Sequence, residues 1–150
     1  MGLKDLLGSN IAQGLLGNLN EVNPEQLQNE YSPYLMNGET VIAGFKLIRD
    51  VVLFTNERII SFDKQGTTGQ KMRVNSINVQ TIIDVTAETA GFGFDDSEIT
   101  ITYITSPFLK SYSLQTAVKK FEFPKKYNIQ PLYKMLQELA HANFKRINGF

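Results

Sequence analysis

A mainly β fold of the α+β class is predicted: about seven antiparallel strands, a helical segment before them and an amphipathic helix after them. Three observations carry this. Residues 39–123 alternate apolar and polar positions with period two, in short runs separated by polar turns. Residues 129–147 switch to three- and four-residue apolar spacing, and residues 3–19 show the same helical spacing. The chain has 150 residues, 42% hydrophobic and 20% charged, which is enough for one proper core.

In chain order, Leu3, Leu6, Leu7, Ile11, Leu15, Leu16 and Leu19 form one apolar helical stripe. Gly8, Gly14 and Gly17 weaken it, at about 1 kcal/mol each relative to Ala. A second helix is expected to start at Asn23. Its side chain can cap free N–H groups, with Pro24 at the first helical position and Gln26 completing a capping-box pattern. Ser32-Pro33 should break or restart this helix, and Gly38 should end it. Residues 1–38 thus read as an N-terminal helical extension of one domain, 39–150.

The first strand places Val41, Ala43, Phe45 and Leu47 on one face. Strands 51–55 and 58–63 follow, joined by a short turn at Asn56-Glu57. Residues 64–70 read as a loop, because Gly66 and Gly69 are free to take positive φ. Strands at 71–77 and 81–89 come next. The strand at 97–104 is the clearest, with Ile99, Ile101 and Tyr103 facing one way. The last, 116–123, sets Ala117, Phe121 and Phe123 on one face. Asn128 can then cap a helix carrying Ile129, Leu132, Tyr133, Leu136, Leu139, Ala140 and Ile147 on one side, with Pro131 tolerated in its first turn. A one-faced sheet must bury its apolar side, and a small open barrel plugged by this helix does so.

Composition narrows the function. Lys plus Arg equals Asp plus Glu at 15 each, which disfavours nucleic acid, whose phosphates call for a net basic surface. The absence of cysteine excludes disulfides, Cys-based zinc sites and thiol nucleophiles. No apolar run approaches the roughly 20 residues that cross a bilayer, and residues 1–20 lack a continuous signal-peptide core. Leu6 stands where a myristoylation pattern wants Ser or Thr. A cytoplasmic, unlipidated chain is expected.

Catalytic and metal motifs are weak. His141 is the only histidine, with Glu138 its one carboxylate neighbour at helical spacing, so a surface histidine is the better reading. Asp95, Asp96 and Glu98 follow Gly91-Phe92-Gly93-Phe94 without the ligand spacing of a calcium loop, and a hairpin tip accounts for them. The glycines there lie between strands and not before a helix, which removes the phosphate-loop reading. No enzyme, cofactor or metal is expected.

The run FKLIRDVVLFTNERIISFDKQGTTGQK, residues 45–71, resembles the signature of a bacterial pleckstrin-homology-like family of small proteins. Residues 82–91, ending in ETAG, and the leading MGLKDLLG are similar to that family as well. The likeness covers most of residues 1–104, and TSPFLKSYSLQT, 105–116, reads as an insertion. It implies a pleckstrin-homology-like seven-stranded antiparallel barrel capped by a C-terminal helix, no enzymatic activity, and symmetric ring-like homo-oligomers.

Two functional expectations follow. The first is a self-assembling binding or scaffolding module whose partner is itself or another protein. Its contacts would be Leu3, Leu6, Leu7 and Ile11 together with Phe108, Leu109 and a free strand edge. The alternative is a peripheral module holding anionic lipid or phosphate through Lys46, Arg49, Arg58, Lys71 and Arg73. Asp50 and Glu57 dilute that charge, and Lys4 is the one basic residue on the N-terminal stripe, so a membrane surface is disfavoured.

Overall fold

In the computed structural model the alternating middle of the chain forms two antiparallel sheets and not one closed barrel. The structure describes residues 23–47, 50–65, 71–90 and 96–150. The stripe with Leu3, Leu6, Leu7 and Ile11 and the Gly-Phe-Gly-Phe tip lie outside the described residues, as do 66–70 of the expected 64–70 loop, whose first two residues, Lys64 and Gln65, instead extend a strand. The first sheet has the order β1 (Val41–Lys46), β2 (Asp50–Thr55), β3 (Arg58–Gln65) and β4 (Lys71–Asn78). The second has β5 (Ile82–Glu88), β6 (Ser97–Ile104) and β7 (Thr116–Phe123). Every neighbouring pair is antiparallel, as short connections require.

Asn23 caps helix α1 (Pro24–Glu30) by accepting the Glu25 N–H at 2.9 Å, with Pro24 in the first turn. The helix ends at Glu30, earlier than the sequence suggests. Ser32–Tyr34 continues as a 3-10 turn, and Gly38, at φ 78°, turns the chain into β1 and caps no helix. Helix α1 covers part of the outer face of the first sheet. There Leu27 packs with Val41, Leu53, Ile60 and Phe62. Gly44 permits the approach, since a Cβ at that position would lie 2.3 Å from Leu27 Cδ1.

Val41 was expected on the same face as Ala43 and Phe45, and the register shows why it is not. A bulge between Val41 and Ala43 shifts the pairing with β2 by one residue. Val41 therefore turns to the outer cluster, while Ala43 and Phe45 face the main core.

That main core lies between the inner faces of the sheets and helix α2 (Gln130–Asn148). Asn128 accepts the Gln130 N–H at 3.2 Å from one residue ahead of the N-cap position, which Ile129 holds, and Pro131 sits in the first turn. Ile129, Leu132, Leu136, Leu139 and Ala140 are buried as their spacing predicts, whereas Tyr133 is exposed and Ile147 half-buried. Met135 and Asn143 complete the buried face. Asn143 is polar and in the core because its Nδ2 donates to the carbonyls of Val79 (2.9 Å) and Ile82 (2.8 Å). Those carbonyls belong to and follow a 3-10 turn, Val79–Thr81, that links the two sheets. Among the described residues no helix is long and apolar enough to cross a membrane.

Candidate functional site

Three polar or exposed groupings could carry function, and each is set by strand register or by a helix end. The first is an ion pair. Arg58 opens β3, and its Nε and one terminal nitrogen each stand 2.8 Å from a carboxylate oxygen of Glu39. Thr55 Oγ1 donates to the same carboxylate at 2.7 Å and the Met36 N–H at 2.9 Å. Burial pushes the Glu39 carboxyl up, but the Arg58 fork and the other donors outweigh it and hold the group below its ordinary value. Arg58 also donates to Ser76 Oγ and to the Tyr34 carbonyl. The guanidinium is thus occupied in fastening the 3-10 turn and β1 to β3.

The second grouping is the mouth between the sheets. Register places Asp50 directly opposite Asp63, and Asp63 opposite Arg73, all on the inner face. Lys119 of β7 reaches to 4.0 Å from Asp50, and Gln65 donates to Asp63 at 2.8 Å. Like charges facing each other across strands are destabilising. Burial first, and Asp63 next, push the Asp50 carboxyl up, with Lys119 acting in the opposite sense. Facing Asp63 in a half-buried site, the Asp50 carboxyl is thus favoured in its neutral form relative to a free one. A cavity of about 520 Å³ opens here, lined by Leu47, Asp50, Asp63, Lys64, Lys120 and Glu122. Its charge is mixed, with three acids against two lysines on that lining. Counting outward from the Asn56-Glu57 turn would have found the Asp50–Asp63 pair in the sequence.

The third grouping is an exposed surface where the 105–116 loop meets the end of α2. The loop is closed at its base by the Thr105 N–H donating to the Gln115 carbonyl at 2.9 Å. Ser106 Oγ accepts the Gln115 N–H and donates to the Phe108 carbonyl. Phe108 is 76% exposed and Tyr112 fully so. At the end of α2, Gly149 takes φ 74° and the Phe150 N–H returns to the Lys145 carbonyl at 2.8 Å. That turn brings the Phe150 ring to 5.9 Å from Phe144. Between loop and helix lies a groove of about 360 Å³ lined by Ile83, Ile104, Leu109, Leu114, Phe144 and Ile147, with Lys110, Ser111 and Asn148 as its polar members.

The residues singled out in the sequence fall apart in space. Phe108 and Leu109 share the third grouping. Lys46 is exposed on the outer side of the first sheet, opposite Val51. Lys71 and Arg73 lie at the far end of the β3–β4 ladder from Arg58. Arg73 lines a cavity of about 200 Å³ with Asp63 and Lys119. Arg49 and Asp95 are outside the described residues. The His141 ring, on an exposed helix position, stacks toward Phe144 with centroids 6.4 Å apart. Asp96 is exposed, and Glu98 pairs with Lys120 at 3.2 Å. Among the described residues no group of three or more His, Asp or Glu is placed to hold a metal ion.

Comparison with known proteins gives a consistent answer. The sequence profile described as Bacterial PH domain matches residues 10–140. The uncharacterized protein YjqA of Bacillus subtilis (strain 168) is 42% identical over 102 residues, 68% of this chain and 81% of that protein. The crystal structure of a pleckstrin homology domain from Shewanella amazonensis SB2B is similar at TM-score 0.62 and 30% identity. That likeness covers 87% of this chain and 98% of the other. A DUF1696 family protein with a pleckstrin-homology domain from Shewanella loihica PV-4 gives TM-score 0.60 and 31% identity, over 82% and 97%.

Proposed function

We propose that this chain, which belongs to the bacterial PH domain family, is a non-enzymatic module that self-assembles and serves as a binding scaffold. The observation that carries this reading is the exposed aromatic surface. Phe108 and Tyr112 on the loop, and Phe144 and Phe150 at the helix end, are exposed beside a largely apolar groove that Phe144 helps line, and clustered apolar exposure of this kind marks an interaction site. Edge strands add support. β1 and β4 end the first sheet, β5 and β7 end the second, and such edges leave backbone groups free to pair with another chain. No cofactor enters the reading.

The test is light scattering on the full chain as it elutes from a sizing column. A single species at a multiple of 16.9 kDa is expected. Phe108→Ala with Leu109→Ala should shift it toward the monomer. A wild-type chain that stays monomeric at micromolar concentration would sink the proposal.

The alternative, anionic lipid or phosphate held by Lys46, Arg49, Arg58, Lys71 and Arg73, has less support from the geometry. Arg58 is engaged by Glu39, and Arg73 faces Asp63. Polyphosphate recognition calls for several cations converging on one point. Vesicle flotation with and without phosphoinositide tests it, and salt-sensitive binding lost in Lys71→Ala would revive it.

A further inference from the structure

The groove between the 105–116 loop and α2 is edged by charge of one sign. Neither 105–116 nor 139–150 contains an Asp or Glu, while Lys110, Lys145 and Arg146 are all exposed. Lys110 lies on the groove wall, and Lys145 and Arg146 fall in sequence between the lining residues Phe144 and Ile147. Among the described residues none of the three cations belongs to an ion pair. Arg146 donates to the Gln80 carbonyl at 2.7 Å and to Asn143 Oδ1 at 3.3 Å, which anchors the guanidinium without neutralising it. The neighbouring acids stand off. Asp84, beside Ile83, pairs with Thr102 on the outer face of the second sheet, and Glu138 precedes Lys145 by two helical turns, roughly 10 Å.

The rest of the lining is mostly apolar and graded in depth. Ile104 is buried and forms the floor, while Leu114 and Phe144 are exposed walls. The loop base is closed by the Thr105–Gln115 backbone bond and by Ser106, and Phe150 folds back beside Phe144. The slot is therefore formed before anything enters it, which lowers the ordering cost of binding. At about 360 Å³ it stands near the low end of the roughly 300–1,000 Å³ of small-molecule sites, and suits a side chain offered by a larger partner. A bare anion would leave the floor unused, and a neutral apolar group would leave the cations unused. An anionic membrane would meet the cations, but a flat surface reaches the rim and not Ile104.

We infer that this groove docks an acidic segment of another protein, with an apolar side chain seated against Ile104, Leu114 and Phe144 and carboxylates facing Lys110, Lys145 and Arg146. This rests on the interaction surface proposed above and names the chemistry of a partner other than the chain itself. The apolar anchor supplies most of the affinity, since it is the part that leaves water. The cations select for acidic segments and speed the encounter. Their exposure keeps the charge in water while the lysine stems extend the apolar wall.

The experiment probes the full chain with an array of short peptides in which each apolar residue in turn is flanked by Asp and Glu, by Asn and Gln, or by Lys and Arg. Signal is expected in the acidic set. A labelled peptide from that set should bind in solution about tenfold more tightly than its Asn/Gln counterpart, and added salt should narrow the difference. Leu114→Ser and Lys110→Glu/Lys145→Glu, each first shown to melt as the wild type does, should both weaken the acidic peptide, and the charge variant should take up the Lys/Arg counterpart instead. Equal signal across the three sets, or none, overturns the inference, as does a charge variant that keeps the acidic peptide. Flotation on phosphatidylglycerol vesicles, lost in the charge variant while every peptide set is ignored, assigns the surface to a membrane and overturns it too. Light scattering on the same samples keeps the two proposals apart. A monomer that binds acidic peptide sinks self-assembly alone, and an assembled chain that ignores it sinks this inference alone.

Discussion

Asn143 shows how much one side chain can decide. It is 2% exposed in an apolar interface and donates to two backbone carbonyls, Val79 and Ile82, at the point where the chain passes between the sheets. Asn143→Leu would fill the same space but leave both carbonyls without a donor in a dry site. A loss of about 1–3 kcal/mol is expected, read by urea unfolding. A variant as stable as wild type would mean that water replaces the amide there. Arg58 is the second such residue. Its carboxylate partner, Glu39, has a fully buried side chain, so Arg58→Met strands a charge and not merely a hydrogen bond. Because the guanidinium is itself partly exposed, the expected cost is near roughly 3 kcal/mol, the low end for breaking a buried pair. The double variant with Glu39→Leu should recover much of that loss, because it removes the stranded carboxylate. No recovery would show that the pair also positions the 3-10 turn. Neither residue was legible in the sequence. Asn143 lies in an apolar stripe that reads as continuous without it, and Arg58 looks like one more strand cation until Glu39 is found beside it.

Among the elements, the strands were the most legible, because a half-buried sheet imposes period two on the sequence whatever its partners. Strand ends at 97–104 and 116–123 match the expectation to the residue. Closure was less legible, since alternation reports which side of a strand is buried and not which strands lie side by side. Seven runs fit one open barrel or two facing sheets equally well, and the chain forms sheets of four and three. The bulge at Val41–Ala43 was hidden for a related reason: both residues are apolar, so a one-residue shift leaves the pattern intact. The site was hardest to read. The groove depends on where α2 ends relative to a loop 30 residues earlier in sequence. Helix α1 offers a direct test at this scale. It docks over Gly44 through Leu27, which is 3% exposed. Leu27→Ala should cost about 2–5 kcal/mol as a core truncation. Gly44→Ala should cost about 1–3 kcal/mol by forcing Leu27 out of its seat. The two changes act on one contact, so Gly44→Ala should be milder in the Leu27→Ala background. Strict additivity in a double-mutant cycle would show that the new methyl strains the sheet instead.

At the scale of the whole molecule, buried Glu39 and half-buried Asp50 pull stability in opposite directions with pH. Glu39 is held below its ordinary value, so its share of stability is full above the unfolded carboxyl value of about 4.3 and drains away as pH falls through the folded one. Asp50 is pushed up, so its share is full below the unfolded value of about 3.9 and is lost as pH rises through the raised one. The groups facing Asp50 are Asp63 on β3, Arg73 beside it on β4, and Lys119 and Glu122 on β7, with Lys64 on the cavity wall. Lys119 offsets part of the repulsion but stands at 4.0 Å, a distance at which solvent weakens the pair. A chain of zero formal net charge adds little global repulsion near neutrality, so these local terms shape the profile. Stability should therefore rise with pH while Glu39 ionises below about 4.3 and fall as Asp50 ionises above about 3.9. Asp50→Asn keeps a donor toward Asp63 and removes the charge that must be expelled. It should flatten the neutral side of the profile while leaving the acid side, which belongs to Glu39, unchanged. Urea melts of wild type and Asp50→Asn from acid to neutral pH read both limbs. A variant destabilised by the same amount at every pH would mean that the Asp50 carboxylate acts chiefly as the partner of Lys119 and that repulsion from Asp63 counts for little.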